Sequence, residues 1–146
     1  MGMWVEHLND RQCWELLERA EVGRLGVLVD SAPEIFPVNH VVDGRTIVFR
    51  TDGGTKSRGL DRSPSVCFEV DAVNTRDHTG CSVLVKGRAE RVRDDEELGR
   101  WSALPLVCWE MGPKTHWIRI VPTEVTGRRI DRIVREDETL LSVREG

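Results

Sequence analysis

Nowhere in the 146 residues is there an apolar stretch long enough for a signal peptide or a membrane-spanning helix. The opening run, Met1-Gly2-Met3-Trp4-Val5-Glu6-His7, is mixed in character, and a cytoplasmic protein is expected. Cysteines are few and scattered. Cys13, Cys67, Cys81 and Cys108 form no C-x-x-C pair, which argues against disulfides and predicts four reduced thiols, mostly packed in the core. His7, His40, His78 and His116 stand at no ligand spacing with those cysteines or with one another, so no metal site is expected. A one-sided block of positive charge is also missing. The formal net charge is -4, and Arg128, Arg129, Arg132 and Arg135 are interleaved with Asp131, Glu136 and Asp137, which excludes the usual footprint of a nucleic-acid binder. Repeats, low-complexity segments and linkers are absent too, so residues 1–146 read as a single domain. Lysine is scarce: only three of the 21 basic residues are lysines, a bias pointing to a bacterial, GC-rich source.

What remains is an ordinary globular composition, 39% hydrophobic and 32% charged, with a pattern dominated by strands. Asn9 followed by Gln12 has the form of a capping box, and Cys13, Trp14, Leu17 and Ala20 then recur at helical spacing over Asp10–Ala20. Gly23 is the expected stop of that helix. Strands are predicted over Arg24–Val29, Glu34–Val42 and Arg45–Thr51, the last two joined by the hairpin signal Asp43-Gly44. A glycine-rich loop, Asp52-Gly53-Gly54, precedes a short helix over Thr55–Leu60. Ser65–Ala72 alternates cleanly between apolar and polar faces. Gly80–Val92 is long for a strand, and Gly87 within it predicts a bulge or bend. A second helix over Asp94–Trp101 opens on acidic residues, and Trp117–Val121 is the last strand expected before Pro122. Six strands joined mostly by short turns, with a few short helices, are best satisfied by a mainly β barrel. An interior of that size is filled by side chains, so a cofactor-sized ligand must sit outside it or between subunits.

Certain residues carry chemistry. Arg50 and Lys56 flank the glycine-rich turn, whose backbone N–H groups can also address an anion, and Thr51, Thr55 and Ser57 add hydroxyls. The alternative is a solvated loop with a basic face. Spacing rules out a P-loop at Gly53-Gly54-Thr55-Lys56. Pro37 cannot donate to a ladder, so Pro37-Val38-Asn39-His40 implies interrupted pairing that frees backbone groups.

Taken in order, Gly23-Arg24-Leu25, Pro37-Val38-Asn39-His40, Phe49-Arg50-Thr51, Gly54-Thr55-Lys56, Phe68-Glu69-Val70-Asp71, Ser82-Val83-Leu84-Val85 with Gly87, and Trp117-Ile118-Arg119-Ile120 resemble the pyridoxamine 5′-phosphate oxidase-like family of FMN-binding split barrels. The resemblance runs from Cys13 to Arg128. It implies a six-stranded split barrel that binds FMN at the interface of a homodimer. By this resemblance Arg50, Thr51, Lys56 and Ser57 grip the FMN phosphate, and Val38 and Asn39 lie beside the flavin ring. Asn39 satisfying a neighbouring turn is the alternative for that residue. Ser82 falls close to the ring, next to Cys81, where a typical member carries Trp; whether Cys81 is a reactive thiol is left open. Trp117 and Arg119 belong to the strand that reaches the flavin of the opposite subunit. The C-terminal Arg/His segment with which the vitamin B6 enzyme holds its substrate phosphate has no counterpart after Arg128, so pyridoxamine phosphate is not the expected substrate. The resemblance implies an FMN-dependent oxidoreductase acting on a small molecule. A deazaflavin-dependent reductase of the same fold is the second reading. A non-catalytic flavin or haem module, with His40 or His116 as haem ligand, is the third. No residue stands out as an acid–base catalyst.

Overall fold

The first helix begins where its capping box predicts. In the computed structural model, which describes residues 3–110 and 112–132, Asn9 accepts the Gln12 N–H at 2.9 Å and Gln12 accepts the Asn9 N–H at the same distance. Helix α1 (Asp10–Arg19) buries Cys13, Trp14 and Leu17 against the sheet. Gly23 does not end it. The chain leaves the helix through extended Ala20, and Gly23 already lies in strand β2 (Val22–Val29), where a Cβ would stand 2.0 Å from the Phe68 ring. Close packing, not a turn, requires glycine there.

The expected strand Glu34–Val42 is two strands, β3 (Ala32–Asn39) and β4 (Val41–Asp43). They part at His40, which turns inward: its backbone N–H donates to Glu21 O (3.2 Å) and its Nε2–H to Leu17 O (2.8 Å). Gly44, at φ +62°, makes the hairpin to β5 (Thr46–Thr51). Helix α2 (Thr55–Arg62), strands β6 (Ser65–Asn74) and β7 (Thr79–Val92) and helix α3 (Asp95–Trp101) follow. The register of β7 against the next strand shifts between Lys86 and Gly87, the bulge that Gly87 predicts.

The last strand, β8, runs from His116 to Arg132, far beyond the expected end at Val121. Pro122 does not stop it because it lies opposite Gly87, at the bulge, where ladder pairing is already broken. The charged second half of β8 pairs on its other side with β1 (Met3–Leu8), a strand the sequence pattern does not announce; Glu6 and Arg129 meet across that ladder at 3.5 Å.

There are thus eight strands among the described residues rather than six, all antiparallel, in the order β3-β2-β6-β7-β8-β5-β4 with β1 also on β8. The sheet curls around a core of Leu17, Leu25, Phe49, Phe68, Val83 and Ile120 without a ladder joining β3 to β4, so the barrel is split. A smaller cluster of Val48, Val92 and Trp101 holds α3 to the outside, and Asp43, in the hairpin, accepts from Trp101 Nε1 (2.9 Å) and from Arg100 (2.9–3.0 Å). The expectation of mostly buried thiols is corrected. Only Cys13 is buried; Cys67 occupies an outward position of alternating β6, and Cys81 and Cys108 are half-buried. Among the described residues no helix is long and apolar enough to cross a membrane.

Candidate functional site

Strand alternation decides what β5 offers at its end. Thr51 points inward and is buried, whereas Arg50 points outward, opposite Trp117 at the start of β8. The Arg50 guanidinium lies 5.1 Å from the centre of the Trp117 ring, and its Nη2 is 3.7 Å from Cys108 Sγ. Arg50 Nε is buried and has no hydrogen-bond partner in the protein. A buried N–H donor left in this way is suited to an acceptor that the protein itself does not provide.

The next element brings Lys56 and Ser57 to the same place. Helix α2 starts at Thr55 behind Gly54, an N-cap with no side-chain hydrogen bond to the helix. Ser57 is buried and its Oγ lies 3.1 Å from His116 Nδ1, so the α2 start is tied to the residue paired with Thr51. Lys56 is half-buried, with Nζ 5.4 Å from the centre of the Phe36 ring. Burial pushes its pKa below the usual lysine value, and the negative charge of Glu110 opposes that shift. The Asp52 carboxylate accepts the Gly54 N–H at 3.0 Å, and this bond first of all holds its pKa below the usual range.

A second contribution comes from the segment between α3 and β8, which the sequence pattern leaves without a role. Lys114 is largely buried and pairs with Glu110 (3.1 Å) and Asp52 (3.8 Å). Trp109 donates its backbone N–H to Asn39 Oδ1 at 2.9 Å, and the Asn39 amide donates to Glu21 O at 3.4 Å. Asn39 therefore does bridge local backbone groups. The neighbouring Val38 sends its side chain into the core. Nothing in the sequence marks Cys108, Glu110 or Lys114, because a turn-rich connection shows no periodicity from which its neighbours can be inferred.

The structure brings together Arg50, Lys56, Ser57 and Trp117, with Asn39 joined to them through the Trp109 backbone. Two expectations are corrected, since Thr51 turns its side chain to the core face of β5, away from Arg50, and Trp117 lies against Arg50 of its own protomer. Ser82 is elsewhere. It pairs with Asp71 and Arg128, eleven residues along β8 from Trp117, or roughly 35 Å at the rise of a strand. There it lines a groove of about 510 Å³ with Asp71, Cys81, His78 and Arg128. Arg119 is taken up by Glu90, Glu97 and the Trp101 ring and braces α3. Among the described residues no group of three or more His, Cys, Asp or Glu side chains is placed to hold a metal.

The arrangement is suited to an anion: two cations from different elements, one of them with a buried N–H that has no partner, converge at a helix start. The family model described as pyridoxamine 5′-phosphate oxidase matches residues 9–129. The chain belongs to the pyridoxamine 5′-phosphate oxidase-like family. As a member of that family it is similar to the uncharacterized protein Rv0080 of Mycobacterium tuberculosis, at 36% identity over 132 residues and 86% of each chain. The FAD binding protein from Mycobacterium smegmatis has a solved structure that matches with a TM-score of 0.74 at 39% identity, covering 88% of this chain and 100% of that one. A FAD-binding protein from Mesorhizobium loti matches with a TM-score of 0.76 at 28% identity, covering 90% and 100%. Among the family's marker positions, Gly23 sits where the split barrel needs a close approach, Arg50 and Trp117 face each other across the β5–β8 ladder, and Lys56 lies in the first turn of α2.

Proposed function

We propose that this chain is a flavin-binding oxidoreductase with FMN as its cofactor, working as a homodimer on a small-molecule substrate. The observation that carries the reading is the convergence of Arg50, with its partnerless buried Nε, and Lys56 at the start of α2, whose Gly54 cap makes no side-chain hydrogen bond. These residues fit a flavin phosphate. Arg50 and Lys56 would neutralise it, and the buried hydroxyl of Ser57, held in place by His116, would present a further polar contact. Asn39 and the Val38 backbone would border the ring, with Trp117 as an apolar wall. Bound flavin supplies hydride or electron transfer; the protein supplies position and electrostatics.

Ser82 lies too far from this cluster to serve it within one protomer. In the proposed dimer Ser82 serves the cofactor held mainly by the other protomer. A second reading, FAD in place of FMN, is favoured by two similar proteins described as FAD-binding.

The test is the absorption spectrum of the purified protein, chromatographic identification of any extracted flavin, and titration with FMN, FAD and a deazaflavin. Saturable FMN binding that weakens about tenfold or more in Lys56→Ala, the scale of a lost charge-assisted contact, is the expected result. Preference for FAD or for the deazaflavin would reassign the cofactor. A protein that ignores all three would overturn the reading.

A further inference from the structure

Two carboxylates stand where an anion cradle should hold only cations. Glu110 lies 3.1 Å from Lys114 Nζ, and it is the charge that acts most strongly on Lys56. Asp52 lies 3.8 Å from Lys114 on one side and on the other accepts the N–H of Gly54, the residue that caps α2. Lys114 itself is only 10% exposed, unlike the solvated lysine of an ordinary surface ion pair. Its ammonium therefore sits among the residues assigned above to the flavin phosphate, yet it belongs to the connection before β8.

We propose that Lys114 is a third cation of the phosphate cradle and that Glu110 is its internal counter-ion, a carboxylate that an incoming phosphate must displace. This rests on the phosphate site of the preceding reading and adds its regulation. In the free protein Glu110 and Asp52 offset the charge of Lys56 and Lys114, which lets two lysines share a partly buried place without a ligand. A phosphate dianion carries more charge than one carboxylate and accepts through more oxygens, so it wins Lys114 while Glu110 returns to water. Glu110 is 76% exposed, and its release meets no packing barrier.

Glu110→Gln and Lys114→Gln separate this from a structural role when FMN is compared with riboflavin, which has no phosphate. Glu110→Gln is expected to bind FMN about three- to tenfold more tightly and Lys114→Gln about tenfold more weakly, with riboflavin unchanged in both and Lys114→Arg close to the parent. Inorganic phosphate provides a flavin-free reading: its thermal stabilisation should grow in Glu110→Gln and shrink in Lys114→Gln. FMN binding that is unaffected by either variant, or FMN and riboflavin affinities that move together, would overturn the proposal while leaving the flavin site intact. A protein that binds no flavin but shows the phosphate pattern would overturn the flavin reading and leave this proposal standing.

Discussion

His40 and Asp43, three residues apart, set two separate limbs of acid sensitivity. Burial among Leu17 and Phe68 lowers the His40 pKa below its ordinary value of 6.5, with the bond to the Leu17 carbonyl opposing that shift. The unfolded chain therefore binds a proton first as pH falls. The stability contributed by neutral His40 is complete above about pH 6.5 and declines below it, until the folded-state pKa is passed, by at most about 1.4 kcal/mol per pH unit. Urea midpoints measured from pH 7.5 to 5 should show this slope, and His40→Gln should flatten it. Asp43 acts lower. Its pKa is depressed, first by the Arg100 hydrogen bond and also by the bond from Trp101, against the opposing effect of burial. Its contribution is present above its ordinary pKa near 3.8 and is lost as pH falls through the folded value, a limb that Asp43→Asn should remove from the acid unfolding curve.

At the scale of elements, the fold depends on one close contact and one anchor. A Cβ on Gly87 would stand 2.4 Å from the Val121 carbonyl oxygen, a backbone atom that cannot turn aside. Gly87→Ala should cost about 1–3 kcal/mol in denaturant unfolding by forcing β7 and β8 apart at their bulge. Trp101 is wholly buried and its ring nitrogen donates to Asp43, so Trp101→Ala should cost about 3–5 kcal/mol and loosen α3. Amide exchange should rise most over Asp95–Trp101. The elements themselves were legible to different degrees. Asn9 and Gln12 announced α1, Asp43-Gly44 announced a hairpin and Gly87 announced a bulge, because each of these is local chemistry. β1 and the second half of β8 were not legible. β1 is a short mixed run with no regular alternation and the second half of β8 is largely polar, and they become strands by pairing with each other and, in β8, with β7.

For the whole molecule, the outer face of the sheet is where assembly should occur. Ile35 is 73% exposed and borders a groove of about 710 Å³ with Leu28, Cys67 and Lys86. Large exposed aliphatic side chains around such a hollow are typical of surfaces covered in an assembly. Light scattering should give the mass of a dimer. Ile35→Asp should shift it toward monomer and, since the proposed site draws Ser82 from the second protomer, lower flavin affinity at the same time. A fully dimeric protein with unaltered flavin binding in that variant would place the interface elsewhere.

By itself the sequence determined the class of fold, the presence of each helix, the hairpin and the bulge. These depend on neighbours within a few positions, where backbone conformation and residue type are directly coupled. Tertiary structure alone decided that Ser82 stands apart from the other candidates and that Asn39 is held between Glu21 and Trp109. It alone set Glu110 and Lys114 beside the anion cradle. Asn39 meets its partners 18 and 70 positions away, and no local preference encodes a contact that exists only once the sheet has curled and brought its connections together.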